Sequence, residues 1–223
     1  MESLFSAALL ERIQASRIIS VLVVENAVHA VHVAMALLRG GVDAMELTLR
    51  TPSALDCIRA IRAEVPQMIV GAGTILFPRQ VQEVLSAGAA FGVAPGTNPE
   101  VIREAVRLGL PFAPGVVTPT DIDIAVQCGC RELKYFPAEP SGGLAMLSSI
   151  KAPFAHLGLK YIPLGGVTPG NLRAYLADPD VIAVGGSWLA KAESIRAERW
   201  DEIERNAQEA RSIADCGPRR RDG

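Results

Sequence analysis

Strand-like and helix-like segments alternate eight times along the chain, with no linker or low-complexity stretch between units. Proline opens many of the helical segments and glycine closes several. The residues with chemical potential stand just after strands. Together these observations predict an α/β fold, a (β/α)8 barrel of the TIM type with an N-terminal leading helix. An open, doubly wound sheet is the alternative, but it would need a topological switch point that nothing in the sequence marks.

The leading helix is expected over residues 2–14, where apolar positions recur at helical spacing. The first strand is expected over 18–24, a β-branched run, followed by a helix over 27–39 that Gly40 and Gly41 close, since glycine takes a left-handed cap at no steric cost. The second strand spans 44–49, and its helix, 52–64, starts with Pro52, whose missing N–H is harmless in a first turn. The third strand, 68–71, runs into the turn Gly71-Ala72-Gly73-Thr74. It precedes a helix over 78–87 capped by Gly88. The fourth strand, 90–94, ends at Pro95-Gly96 and leads to a helix over 99–108 capped by Gly109. A short fifth strand, 112–114, precedes a helix over 119–127. The sixth strand, 132–135, precedes one over 143–150, and the seventh, 161–164, one over 169–176. The eighth strand, 181–184, is followed by a closing helix over 198–214. One barrel domain over 1–215 is therefore expected. Residues 216–223, with Arg219, Arg220 and Arg221, are expected to be a flexible basic tail.

Composition narrows the function. Apolar residues make up 49% of the chain and charged residues 21%, enough to bury a large core and too little polarity for disorder. A net charge of −2 leaves no footprint for nucleic acid or an anionic membrane, so neither is expected as a partner. No apolar run is long enough to span a bilayer, and no signal peptide is read. Cys57, Cys128, Cys130 and Cys216 lack zinc-like or redox-pair spacing, so reduced thiols in a cytoplasmic protein are expected.

Two strands hold the candidate chemistry. The chain has four lysines, Lys134, Lys151, Lys160 and Lys191, and Lys134 stands near the exit of an apolar strand, between Leu133 and Tyr135-Phe136. It is either an edge or snorkelling residue, or a desolvated amine free to attack a carbonyl. In the second strand, period-two alternation sends Met45, Leu47 and Leu49 toward outer helices and Glu46, Thr48 and Arg50 toward the interior and its mouth. An interior carboxylate and guanidinium form either a structural pair or a proton shuttle beside an anion site. The parity of the sixth strand places Glu132, Lys134 and Phe136 inward, Lys134 into the cavity of Glu46. Gly165-Gly166 after the seventh strand and Gly185-Gly186 after the eighth stand where such barrels commonly bind phosphate through backbone N–H groups. His29, His32 and His156 are read as packing or surface residues, and Asp121 and Asp123 as first-turn helix acids. No His/Asp/Glu set follows strands as a metal site requires, so metal is not expected.

These blocks resemble a known family, 2-keto-3-deoxy-6-phosphogluconate (KDPG) and 4-hydroxy-2-oxoglutarate (KHG) aldolase. The resemblance runs from about residue 18 to about residue 190. It rests on Glu46-Leu47-Thr48-Leu49-Arg50-Thr51, Gly71-Ala72-Gly73-Thr74, Ala94-Pro95-Gly96, Leu133-Lys134-Tyr135-Phe136-Pro137-Ala138-Glu139, Gly165-Gly166 and Gly185-Gly186-Ser187-Trp188. It implies a cytoplasmic homotrimer of (β/α)8 barrels acting on a 2-keto acid, without metal or organic cofactor. By position it implies Lys134 as Schiff-base lysine and Glu46 as general acid and base. Arg50, Thr74, Pro95 and Phe136 would bind substrate, and Gly165, Gly166, Gly186 and Ser187 would hold phosphate. The products implied are pyruvate with glyceraldehyde 3-phosphate from KDPG, or with glyoxylate from KHG. Leu164 stands where the family usually has Thr, and Ala94 where it often has Ser. Substrate preference is thereby left open, the alternatives being the galactonate epimer of KDPG and an unphosphorylated 2-keto-4-hydroxy acid. A non-catalytic phosphate-binding barrel, with Lys134 and Glu46 as a buried ion pair, is the alternative from another class.

Overall fold

The structure is a computed structural model that describes residues 3–216. Nine short strands occur among them: β1 (Ile18–Leu22), β2 (Ala44–Thr48), β3 (Ile69–Gly73), β4 (Gly92–Val93), β5 (Phe112–Ala113), β6 (Gly115–Val116), β7 (Glu132–Tyr135), β8 (Lys160–Pro163) and β9 (Val184–Gly186). All pairings are parallel, in two runs, β5-β4-β3-β2-β1-β9 and β6-β7-β8. The runs meet at both ends. Between β5 and β6 lies one residue, Pro114, and β8 reaches the last strand through the bridges Tyr161–Val181 and Leu164–Gly185. The ring therefore closes with eight positions, the fifth of them split into β5 and β6. Pro114 brings no N–H to the ladder, yet its carbonyl accepts from the Lys134 N–H at 2.9 Å.

The helices form an outer layer: α1 (Ala7–Ser16), α2 (Ala27–Arg39), α3 (Ala54–Glu64), α4 (Pro78–Ser86), α5 (Pro99–Leu108), α6 (Pro119–Gln127), α7 (Gly143–Lys151), α8 (Pro169–Leu176), α9 (Ala192–Arg196) and α10 (Trp200–Asp215). Their starts and stops follow local chemistry. Asn98 Oδ1 accepts from Glu100 N at 3.0 Å, and Gly109 ends α5 at φ 71°. Asp121, read as a dipole residue, closes a capping box with Thr118 at the start of α6. The five-residue α9 and two 3-10 turns, Glu139–Ser141 and Ala152–Leu157, were not expected. Such short elements carry too few turns to register as a period.

Two cores result, as strand alternation dictates. Met45, Leu47, Leu133 and Tyr135 point outward into the large core shared with the helices. Ile19, Ala44, Ile69, Phe91, Val93, Ala113 and Ile162 fill the barrel itself. The third strand runs two residues further than expected, through Ala72 and Gly73. A methyl group at Gly71 would overlap the Phe91 ring, and one at Gly73 would overlap Glu46 Oε1. The missing side chains make room for large interior groups from neighbouring strands.

The leading helix also differs from expectation. It starts at Ala7, where the Ser6 hydroxyl accepts from Leu9 N at 3.3 Å. Phe5, 3% exposed, instead turns into the barrel floor against Phe91, at 6.4 Å between ring centroids. Burying a phenyl ring contributes about 1.5–3 kcal/mol, more than one further helical turn would. At the same end, Arg17 donates to the carbonyls of Leu176 and Ala214, and Arg211 to that of Ser16 at 2.7 Å. These bonds tie α10 to the floor. Arg219, Arg220 and Arg221 lie outside the described residues.

Candidate active site

The site is built at the C-terminal end of the ring. Glu46 and Lys134 both point inward, as parity required, from β2 and β7 on opposite sides of the barrel. Lys134 Nζ lies 3.0 Å from Glu46 Oε1 and 3.2 Å from Oε2. The residues are 5% and 2% exposed. Lys134 is fixed further by its backbone bond to Pro114 and by the Phe136 ring, whose centroid lies 5.3 Å from Nζ. Neither residue is an edge or snorkelling group.

Above the pair opens a cavity of about 400 Å³. All ten residues singled out in the sequence line it. Glu46, Lys134 and Phe136 form its base, Arg50, Thr74 and Pro95 one wall, and Gly165, Gly166, Gly186 and Ser187 the other. Arg50 Nε donates to Thr48 Oγ1 at 3.2 Å, and Thr48 in turn donates to the Leu22 carbonyl at 3.1 Å, so the guanidinium is steered over the cavity while Arg50 stays exposed. Arg50 therefore makes no pair with Glu46, whose charged partner is Lys134.

Thr74 adopts φ 60°, a left-handed conformation that is costly for a β-branched residue. The strain falls at the cavity wall, where the neighbouring Ile75 N–H is held by the Val93 carbonyl at 3.2 Å.

Gly165 and Gly166 lie at φ 91° and 84°, conformations that favour glycine, and lead into α8, whose first turn Asn171 caps through its bond to Thr168 N at 2.7 Å. Glu46, Arg50 and Lys134 are the charged residues of the lining. An anion at the glycine wall would thus meet backbone N–H groups and the Ser187 hydroxyl rather than a cation.

Sequence reasoning passed over Val21 and Val167, which also line the cavity, as does Gly185 of the expected glycine pair. The signal for Val21 was available, since it shares the inward parity of Ile19. Gly185 serves Leu164: a methyl group there would overlap the leucine side chain. Leu164 itself, flagged in the sequence, lines the cavity with an apolar surface.

The other titratable groups are explained by packing. His29 and His32 lie against Trp200, at 5.6 and 5.3 Å between ring centroids, and His29 also meets Glu198 at 3.2 Å. The four cysteines are free, and burial pushes the Cys130 thiol up to about 12. Glu132 is buried below Lys134, and burial raises its pKa against the opposing hydrogen bond from Ser3 Oγ at 2.7 Å. Among the described residues, no group of three or more His, Cys, Asp or Glu could hold a metal ion, and no helix is long and apolar enough to cross a membrane.

Known proteins are similar to this chain in sequence and fold. The family described as KDPG and KHG aldolase matches residues 9–206. The KHG/KDPG aldolase of Escherichia coli K12 is 43% identical over 193 residues, covering 86% of this chain and 90% of that protein. The KDPG aldolase structure of Zymomonas mobilis with 3-phosphoglycerate superposes with a TM-score of 0.83 at 34% identity, covering 92% of this chain and 95% of the other. That of Legionella pneumophila, with pyruvate captured as a covalent carbinolamine intermediate, gives 0.83 at 34% identity over 88% and 94% of the two chains.

Proposed function

This chain belongs to the KDPG and KHG aldolase family and is an aldolase of the class that forms a covalent pyruvate intermediate; from that premise we propose that Lys134 is its Schiff-base residue and Glu46 its proton shuttle. The observation that carries the reading is the buried contact of 3.0 Å between the two, at the base of the cavity.

The chemistry follows from the geometry. An ammonium cannot attack, so Lys134 must first give up a proton, and Glu46 is the carboxylate within reach. The free amine then adds to the C2 ketone of a 2-keto-4-hydroxy acid, Glu46 gives its proton to the departing C2 hydroxyl, and loss of water leaves a protonated imine beside a carboxylate that is free to act again. Glu46 takes the proton of the C4 hydroxyl. The C3–C4 bond breaks, and its electron pair flows into the imine to give an enamine while the aldehyde departs. Glu46 returns the proton to C3, water adds to C2, and the C–N bond breaks to release pyruvate and the amine.

The remaining assignments concern binding. Arg50, steered by Thr48, would hold the substrate carboxylate, with Thr74, Pro95 and Phe136 shaping the pyruvate end. Gly165, Gly166, Gly186 and Ser187 would receive the phosphate of KDPG, which yields glyceraldehyde 3-phosphate. KHG, which yields glyoxylate, carries no phosphate. The imine supplies the electron sink that a metal would otherwise supply, so we propose that the reaction needs no metal. A cytoplasmic setting is supported by the four free thiols, and a homotrimer by the family resemblance. A second reading, activity on the C4 epimer of KDPG, is favoured by one observation, the apolar Leu164 at the cavity wall.

The test is reduction with borohydride in the presence of pyruvate, with KDPG and KHG cleavage measured before and after. Covalent mass is expected on the peptide carrying Lys134, with loss of both activities. Labelling at Lys151, Lys160 or Lys191 in its place would overturn the assignment.

A further inference from the structure

Glu139 lies outside the cavity lining, yet it grips the glycine wall from behind. Its N–H donates to the Gly165 carbonyl at 2.9 Å, beside the bond from Ala138 N to the Leu164 carbonyl at 2.7 Å. Its stem fills the space where Gly166 has no side chain: a methyl group there would lie 2.5 Å from Glu139 Cβ and 2.9 Å from Cγ. Its carboxylate accepts from the hydroxyl of Tyr175, a buried residue of α8, the helix into which the glycine turn leads. A hydroxyl bonded to a carboxylate is among the stronger hydrogen bonds. Glu139 follows Lys134 by five residues. One residue thus connects the segment leaving the lysine strand with both the turn and the helix behind it.

We infer that Glu139, held by Tyr175, is a positioning residue that fixes the Gly165–Gly166 turn at a set distance from Lys134, and so serves the phosphorylated end of the substrate. This rests on the proposed phosphate-binding role of that turn. Substrates without a phosphate do not use the turn and should not feel its displacement. Small misplacements of binding groups far from the reacting bond are costly.

The test uses the full-length enzyme and three variants, Glu139→Ala, Glu139→Gln and Tyr175→Phe. Each is assayed on KDPG and on its unphosphorylated counterpart, with pyruvate trapping and thermal melts alongside. Glu139→Ala is expected to raise KM for KDPG about tenfold or more while the unphosphorylated substrate changes less than about twofold, since only the phosphate contacts depend on the turn. Trapping should be unchanged. Glu139→Gln keeps an acceptor for Tyr175 and should recover most of the loss, and Tyr175→Phe should repeat it in milder form. If Glu139→Ala does not fold, the other two variants decide. Equal losses on both substrates, or none on either, overturn the inference. A wild-type enzyme with no preference for the phosphorylated substrate would overturn the phosphate-binding reading and this one with it. A preference that survives in every variant would overturn this one alone.

Discussion

Two carboxylates are buried in the same barrel, and they do different things. Glu46, near the top, is 2% exposed and touches Lys134 under an open cavity. Glu132, near the bottom, is 3% exposed and takes a hydrogen bond from the Ser3 hydroxyl beside the plugged floor. Burial is nearly equal, so burial does not set their roles. Partner and access do. A carboxylate beside a cation under a cavity is within reach of whatever enters above. A carboxylate with a neutral partner and no cavity is pushed toward its protonated form. One residue type thus meets a charged partner under a cavity at one end, where we propose the chemistry, and a neutral partner at the plugged floor at the other.

The sharpest way to break this contrast is to make the same substitution at both ends. Glu46→Gln keeps shape and removes basicity, and turnover should fall roughly 10²–10⁴-fold, the usual contribution of general acid–base catalysis. Removing one member of a buried ion pair commonly costs about 3–5 kcal/mol, so circular dichroism and a melt should accompany the rate. Near-normal turnover would reduce Glu46 to a structural partner and erase the difference between the ends.

Arg50 sharpens the upper half of the comparison. Its guanidinium offers a planar two-point contact that an ammonium lacks. Arg50→Lys should weaken apparent pyruvate affinity about tenfold, the scale of one hydrogen bond to a charged group, while trapping persists at high pyruvate. Affinity is read from the pyruvate dependence of borohydride inactivation, and an unchanged value removes Arg50 from the carboxylate site.

Leu164→Thr tests selection at the rim. One neutral hydrogen bond of about 0.5–1.5 kcal/mol corresponds to roughly two- to twelvefold between the C4 epimers. The ratio of kcat/KM for KDPG and its epimer should rise by that much, with trapping unaltered. A ratio that does not move makes Leu164 a packing residue only.

The smallest effect belongs to the lower end. Glu132→Gln should leave turnover within about twofold and change stability instead, because its carboxyl is linked to folding through protonation. Its folded-state pKa is raised, so its contribution is full below the ordinary glutamate range and is lost as pH rises through the raised value. The variant should therefore gain on the wild type in urea midpoints as pH rises from about 4 to about 8. A gap that is constant with pH would mean that Glu132 does not titrate differently in the folded chain.

The order of strands and helices was legible because each unit carries its own punctuation. The direction of Glu46, Thr48, Arg50 and Lys134 was legible because strand alternation is strict. Their position at the strand ends then brought every expected site residue to one cavity. What stayed hidden depended on partners far away in sequence. Gly73 read as lying beyond the strand, and the Glu46 side chain that occupies the space beside it comes from a neighbouring strand. The third strand was drawn short for that reason. Phe5 fitted a helical pattern, and only a barrel floor in need of filling draws it out. Pro114 splits a strand whose ends still bond on either side, an arrangement that local propensity does not anticipate. Glu139 read as the end of a motif, and its link to Tyr175 spans residues that no local pattern connects.

With Phe5 packed into the floor, the barrel is closed at that end, and the cavity opens above Lys134 and Glu46 at the other. A 2-keto-4-hydroxy acid whose ketone reaches Lys134 lies with its other end toward the light. When the bond between the halves parts, the outer fragment stands between the inner one and the exit. The aldehyde must therefore depart first and pyruvate last, and in the synthetic direction pyruvate must arrive before its partner. In the proposed mechanism covalent attachment enforces the same sequence, so the queue is fixed twice, once by a bond and once by the Phe5 ring at the far end of the molecule.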